Sequence, residues 1–196
     1  MTTPVGTEAV VDRLGTVTAF DEAFRALEEG DGSDAPASVQ AMRASAFDVF
    51  RRIGFPTTKN EDWHYTSVAP IAEHDYLHIT TPSGDVQRPA LQRFMFGQSE
   101  WPALVFVNGR YSPELSSLDE LPRGVKVLDL RRAWRDAPEL VRELGQITPY
   151  EGRAFTALNT AFMNDGAVVH VGRDVETDTP IHLLFVTDAV AAKSMM

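Results

Sequence analysis

Apolar residues between positions 39 and 53 recur at steps of three and four, the spacing of one face of an α-helix. The stripe consists of Val39, Met42, Ala46, Val49, Phe50 and Ile53. Arg43 and the other charged residues of the segment fall mostly off it. Gly54 is a suitable residue for the position just past the end of the helix, and Pro56 prevents its continuation. The pattern predicts an amphipathic helix that ends at Gly54, with Phe55 packed back against it.

A second helical pattern precedes this helix. Thr18 is placed as an N-cap, with Asp21 three residues later in a capping-box-like position. Apolar residues then recur at helical spacing as far as Leu27, and Gly30 can end the helix. The two helices are expected to form an antiparallel pair or to pack on a later sheet.

Three further helices are predicted in the C-terminal half. Asp129 can cap a helix over residues 130–136. Pro138 is expected to interrupt it and start another helix, which Gly145 ends. A longer helix is predicted over residues 151–163, where apolar residues again share one side.

The β-strand signals begin in the middle of the chain. Residues 104–107 are an apolar run, and the Asn108-Gly109 pair that follows is the strongest short signal for a hairpin turn. The return strand is predicted at 110–112, and a further strand at 125–128.

Two more strands are predicted near the C-terminus, at residues 167–171 and 181–186. Both are nearly continuous apolar runs, which is typical of strands buried on both faces or stacked in a solenoid. We expect the two to form a pair. Because an isolated strand pair is only marginally stable, they are expected to begin something larger.

Composition restricts the chemistry available to the chain. Its 196 residues carry a net charge of −10 with no Lys/Arg cluster, which argues against a nucleic-acid partner. No apolar run approaches the ~20 residues that span a bilayer, and no secretory signal is visible. We therefore expect no membrane association and a cytoplasmic location. The absence of cysteine excludes disulfides and thiolate-held metal clusters.

The acidity is concentrated at the N-terminus, where residues 1–34 hold eight acids against two bases. We interpret this region as a solvated arm, flexible over residues 1–17. The alternative is an arm that docks a basic partner.

Histidines and carboxylates give no convincing site. His74 and His78 have the i, i+4 spacing of metal ligands on a helix, but their surroundings alternate like a strand. His170 and His182 lie in the two C-terminal strands, could be neighbours, and are read as hydrogen-bonded sheet histidines. Nucleophile-elbow, phosphate-loop and dinucleotide motifs are missing. We assign no catalytic, cofactor-binding or metal-binding residue, and no cofactor to this segment.

The segment from Lys59 to Thr66 is the sharpest local feature. In an extended chain Trp63 and Tyr65 would point to the same face, with His64 opposite. We interpret the two rings as an anchor that pins the helical region to the later part of the chain. The alternative is an exposed aromatic and charged patch that binds a partner.

Two segments together resemble the SufB/SufD family of iron–sulfur cluster assembly proteins. The first comprises Gly54, Phe55, Pro56, Lys59, Glu61, Trp63, Tyr65 and Thr66. The second comprises residues 155–162, Asp165-Gly166, 168–171 and Thr179-Pro180-Ile181. The SufD branch of the family fits better than the SufB branch, because the first motif follows a short two-helix N-terminus.

The resemblance implies an α+β fold: a helical N-terminal region with small β elements, then the first strands of a right-handed parallel β-helix. The implied domains are an α/β capping region at 18–150 and the truncated start of the β-helix at 151–196. It further implies a non-enzymatic scaffold component that pairs with SufB and the ATPase SufC. We expect the chain to be a fragment of such a protein.

Two other functions remain open at this point. One is the N-terminal part of a solenoid carbohydrate-active enzyme whose catalytic acids lie beyond residue 196. The other is an independent acidic binding module that acts through residues 1–34 and the Trp63/Tyr65 patch.

Overall fold

The computed structural model describes residues 20–73, 86–96 and 100–188. Predictions about Thr18, His74, His78 and the arm at 1–17 lie outside these residues. The described chain divides into two compact units, each discontinuous in sequence. The helical unit contains residues 20–73 and 145–163, and the strand unit contains 86–96, 100–144 and 164–188.

The fold is mixed α+β, as predicted. The helices are α1 (20–29), α2 (Ala37–Ile53), α3 (Ala69–Ala72), α4 (Arg88–Leu91), α5 (Leu130–Asp136) and α6 (Ala154–Ala161). Short 3₁₀ turns occupy Glu61–Trp63, Gln92–Phe94 and Pro138–Val141. The strands are β1 (Ala103–Val107), β2 (Arg110–Tyr111), β3 (Val125–Asp129), β4 (Ala167–Val171) and β5 (His182–Val186). The predicted helix at 151–163 is therefore shorter than expected.

Aromatic rings fill the core of the helical unit, where α1, α2 and α6 meet. Phe24 stacks on Phe47 with ring centroids 4.2 Å apart, and Phe162 meets both edge-on. Phe20 packs edge-on against Phe50 at 5.4 Å. Such pairs contribute about 0.5–1.5 kcal/mol beyond the burial of their area. Contacts among these rings hold the three helices together.

The position of Arg43 differs from the one predicted for it. We predicted it off the apolar face, yet it is among the most buried side chains, with 2% of its surface exposed. Its Nε donates to the Met163 carbonyl at 2.6 Å and its Nη1 to the Gly32 carbonyl at 2.9 Å. The guanidinium can be buried because it bonds the carbonyl of Met163, just after α6, and the carbonyl of Gly32, just after α1. Ile53, predicted in the stripe, is only half-buried.

The predicted end of α2 is confirmed. Gly54 has φ 62° and ψ −171°, a region that essentially only glycine adopts, and its N–H donates to the Phe50 carbonyl. This reversal turns Phe55 back onto the helix, 5.2 Å from the Phe50 ring. Phe55 also contacts Phe155 of α6 at 5.5 Å.

The strand unit contains two small sheets, one ordered β2-β1-β5 and one pairing β3 with β4. The predicted hairpin is confirmed: β1 and β2 pair antiparallel across Asn108 and Gly109, both with positive φ. Our pairing of the two C-terminal strands was wrong. β5 instead pairs parallel with β1, and β4 pairs antiparallel with β3.

The predicted helix at 130–136 is confirmed within the strand unit. The carboxylate of Asp129 caps α5 by accepting from the Arg132 N–H at 2.9 Å. Leu130, Ala133 and Trp134 of this helix are buried. Pro138 then opens a 3₁₀ turn, but this turn ends at Val141, so the helix predicted as far as Gly145 is not formed.

β1 is buried on both faces, which makes it the centre of the strand unit. On one face Leu104 and Phe106 pack in a cluster with Val125 and Val127 of β3. The opposite face buries Val105 and Val107 against Leu91 of α4. The first of these clusters defines an interior between the two sheets.

Candidate strand-addition interface

The side chains of β5 that lie on the interior side of the sheet are exposed to solvent. Leu183 pairs in register with Leu104, and Phe185 with Phe106. Directly paired residues of neighbouring strands share a face, so Leu183 and Phe185 lie on the interior side. The Phe185 ring stacks on Phe106 with centroids 4.9 Å apart. Yet Phe185 is 64% exposed, whereas Phe106 is 1% exposed.

β4 shows the same arrangement in the other sheet. Val169 pairs with Val127 and Val171 with Val125, so both valines lie on the interior side. Both are exposed, although their partners on β3 are buried. The C-terminal strands therefore extend an apolar interior that the described residues leave uncovered. We call Val169, Val171, Leu183 and Phe185 together the open end. Of the two readings that we gave these strands, burial on both faces is not met within the described residues, where neither strand is fully buried.

Both strands also present an edge with no partner strand among the residues that the structure describes. Natural proteins protect such edges with charged residues, proline or bulges. The sequences of β4 (AVVHV) and β5 (HLLFV) contain neither proline nor a Lys, Arg, Asp or Glu. An unprotected apolar edge is the surface on which another strand can add.

The direction of the unpaired peptide groups in β5 follows from two hydrogen bonds. The His182 N–H donates to the Pro102 carbonyl, and the Val186 carbonyl accepts from the Asn108 N–H. Peptide groups alternate along a strand, so those of Leu183 and Phe185 point to the opposite, open edge.

Asn108 holds β5 in register with the hairpin. Its side-chain Oδ1 accepts from the Asp188 N–H at 2.9 Å, while its backbone N–H bonds to Val186. The turn that ends β1 therefore also positions the residues after β5, and Asn108 is itself buried. Asparagine suits this position because it tolerates the positive φ of the turn.

Asp165 connects the hairpin to the start of β4. Its two carboxylate oxygens accept from the Tyr111 N–H and the Gly166 N–H, each at 2.8 Å. Burial raises the pKa of this carboxyl above its ordinary value of 3.8, and the nearby Asp129 carboxylate adds to the increase. The two backbone bonds and Arg110 oppose that shift. Sequence analysis singled out Asp165 only as part of the family motif.

Replacing Asp165 with Asn tests this connection. Asn offers one acceptor oxygen in place of two, so the free energy of unfolding should fall by about 1–3 kcal/mol. Because the pKa is raised on folding, the wild type loses stability as pH rises from 3.8 through the folded-state pKa. The wild-type advantage should thus be larger at about pH 4 than at about pH 7. Urea unfolding of both proteins measures it, and an advantage that grows with pH would refute the raised pKa.

The predicted histidine neighbours are separated. His170 is exposed in β4 and pairs with Lys126, whereas His182 begins β5 in the other sheet. The Nδ1 of His182 is buried without a hydrogen-bond partner among the described residues, so the expected bond is missing there. Within the described ranges, no group of three or more potential metal ligands comes together. No described helix has the length and apolarity needed to span a membrane.

The signature segment of the helical unit is not extended. Glu61–Trp63 forms a 3₁₀ turn, so Trp63 and Tyr65 do not share a face as predicted. The Trp63 ring packs on Phe155 at 5.2 Å, whereas Tyr65 is 96% exposed. The anchor interpretation holds for Trp63 alone.

Comparison with known proteins identifies the family. A profile described as the SufBD protein N-terminal region matches residues 17–183. An iron–sulfur cluster assembly SufBD family protein of Synechocystis sp. is 30% identical over 191 residues, which is 95% of this chain. The iron–sulfur cluster assembly protein SufD of Escherichia coli is 27% identical over 145 residues, or 74% of this chain. The chain belongs to the SufB/SufD family, as its motifs predicted.

The matched regions are only part of these relatives. They cover 41% of the Synechocystis protein and 30% of the Escherichia coli protein. The chain thus spans less than half the length of the curated relatives it matches.

Proposed function

We propose that this chain is the N-terminal part of a SufD-like scaffold for iron–sulfur cluster assembly, and that β4 and β5 begin a right-handed parallel β-helix. The open end is the observation that carries the proposal. Its four apolar side chains continue the interior between the sheets, and the next coil of a β-helix would cover them.

The pairing of β1 with β5 supports this proposal. Successive coils of a β-helix add parallel strands in register, and nearly all parallel crossovers are right-handed. β1 and β5 pair in register over five residues, with Phe106 stacked on Phe185. A third strand that pairs with β5 would extend the stack and bury the Phe185 ring.

The antiparallel strands β2 and β3 belong to the starting end of the proposed β-helix. β2 and β3 pair antiparallel with β1 and β4, which a continuing parallel coil does not do. We infer that they close the starting end of the β-helix, since an uncapped solenoid exposes strand edges. This assigns a capping role to residues 18–150 and the start of the β-helix to residues 151–196.

The scaffold role is non-enzymatic. Fe–S clusters are held mainly by cysteine thiolates, and this chain has no cysteine. The proposal therefore places cluster-related chemistry, and pairing with SufB and SufC, in the longer protein and its complex. A cytoplasmic location belongs to the same proposal. Family membership gives no support to the carbohydrate-active enzyme or to an independent acidic module.

Binding to SufC tests the role assigned to this segment. We expect no heat of binding when SufC is titrated into the 196-residue chain, and no change in its ATPase rate. The longer protein, titrated in parallel as the control, is expected to bind. Tight binding of SufC by the 196-residue chain would contradict the assignment.

A further inference from the structure

Tyr65 is the most exposed aromatic residue among those the structure describes, with 96% of its surface open to solvent. A tyrosine on a monomer normally rests its ring on neighbouring apolar surface. Its neighbour Trp63 does so on Phe155. The His64 ring meets the Tyr65 ring edge-on at 4.6 Å, and His64 is itself exposed. The phenol therefore projects from the helical unit, and His64 is its one aromatic neighbour among the residues that the structure describes.

The loop that carries Tyr65 is held by its own hydrogen bonds. The Asn60 side chain accepts from the Thr57 N–H at 2.8 Å, and the Trp63 N–H donates to the Asn60 carbonyl at 2.9 Å. The His64 ring nitrogen Nδ1 lies 3.2 Å from the Thr58 carbonyl oxygen. Because the loop is already ordered, binding there costs little further backbone entropy, and a tyrosine side chain has only two χ angles to fix. Tyrosine is also among the residues most enriched at binding hot spots.

The surface around Tyr65 is acidic. Glu61 and Asp62 precede it on the 3₁₀ turn and are exposed, with Lys59 as the one base of the loop. Over its described residues, the helical unit carries eleven acids and six bases. A partner of complementary charge is therefore basic.

We propose that Tyr65 is the central contact of a docking surface for another protein, one with a basic surface around an apolar slot that accepts the phenol ring. The docking surface consists of Lys59, Glu61, Asp62, His64 and Tyr65. The ring enters the slot, while Glu61 and Asp62 face basic side chains at its rim. The inference does not depend on the proposed β-helix, since every residue it uses belongs to the helical unit.

Photocrosslinking in the protein as it occurs in the cell identifies the partner. A benzophenone amino acid at position 65 is compared with the same group at position 147, because Ile147 is 80% exposed in the same unit. We expect position 65 to crosslink one protein, at a peptide that carries Lys or Arg. Crosslinks no stronger than those from position 147, or crosslinks only within the same chain, would refute the proposal.

Affinity for that partner then tests the role of the ring. We expect Tyr65→Ala to raise Kd by about 10-fold or more, and Tyr65→Phe and the control Ile147→Ala by less than about threefold. Asp62→Lys should slow association and weaken its salt dependence. The proposal fails if Tyr65→Ala and Ile147→Ala bind equally well. It also fails if the crosslinked partner binds independently of salt.

Discussion

Arg43→Ala is expected to lower the free energy of unfolding by about 3–5 kcal/mol, a large share of the stability of a domain this size. The change removes the Arg43 donor to the Met163 carbonyl and one of the two donors to the Gly32 carbonyl, which also accepts from the Ala35 N–H. An unsatisfied buried carbonyl costs about 1–3 kcal/mol. The cavity left by the side chain adds to this cost.

Matched variants separate the hydrogen bonds from the volume. Arg43→Met keeps the aliphatic bulk without the donors, so it should recover only the packing part of the loss. Arg52→Ala changes an exposed arginine of the same helix and should cost at most about 0.5 kcal/mol. Urea unfolding followed by far-UV circular dichroism gives all three values. A cost for Arg43→Ala within 1 kcal/mol (about one hydrogen bond) of the Arg52→Ala cost would contradict the role of the guanidinium.

Phe106→Ala is the second substitution with a large expected effect, about 3–5 kcal/mol, because it empties the centre of the interior cluster. Phe185→Ala removes the same ring from the stacked position one strand away, where the ring is mostly exposed. In this chain it should cost only about 1–2 kcal/mol, since the ring loses its stacking on Phe106 but is mostly exposed.

The costs of the two substitutions should depend differently on the length of the chain. If the next coil covers β5, the cost of Phe185→Ala in the longer protein should rise to about 2–4 kcal/mol. The cost of Phe106→Ala should stay similar in both proteins. Equal costs of Phe185→Ala in the two proteins would mean that nothing covers the open end.

Local sequence signals predicted the elements well where a single residue type determines the conformation. Asn108-Gly109 gave the hairpin because both positions need positive φ. Asp129 predicted where α5 begins, because its side chain accepts a hydrogen bond from the backbone of the first turn. These interactions span at most a few residues, so periodicity and capping chemistry are enough to detect them.

Long-range pairing could not be predicted in the same way. β5 lies beside β1, which precedes it by more than seventy residues, and the intervening chain belongs partly to the helical unit. Apolar runs alone do not select between possible partner strands. The exposure of Phe185 follows from that pairing and was invisible for the same reason.

The signature segment and Arg43 show two further limits. We placed Trp63 and Tyr65 in an extended segment and therefore missed the turn that the Asn60 side chain stabilises. Arg43 lies four residues after Val39 and three before Ala46, within the apolar stripe. Its spacing gave a usable signal, which its charge led us to discount. What the sequence lacked was the position of the two carbonyls that receive its donors.

Hydrogen exchange at the open edge of β5 tests the central claim most directly. The amides of Leu183 and Phe185 should exchange rapidly in the 196-residue chain, because their N–H groups point away from β1. In the longer protein they should be strongly protected by the strand of the next coil. The Val105 amide, which donates to the buried Ser116 hydroxyl, should be protected in both and serves as the control. Unchanged rapid exchange at Leu183 and Phe185 in the longer protein would contradict a β-helix that begins at β4 and β5.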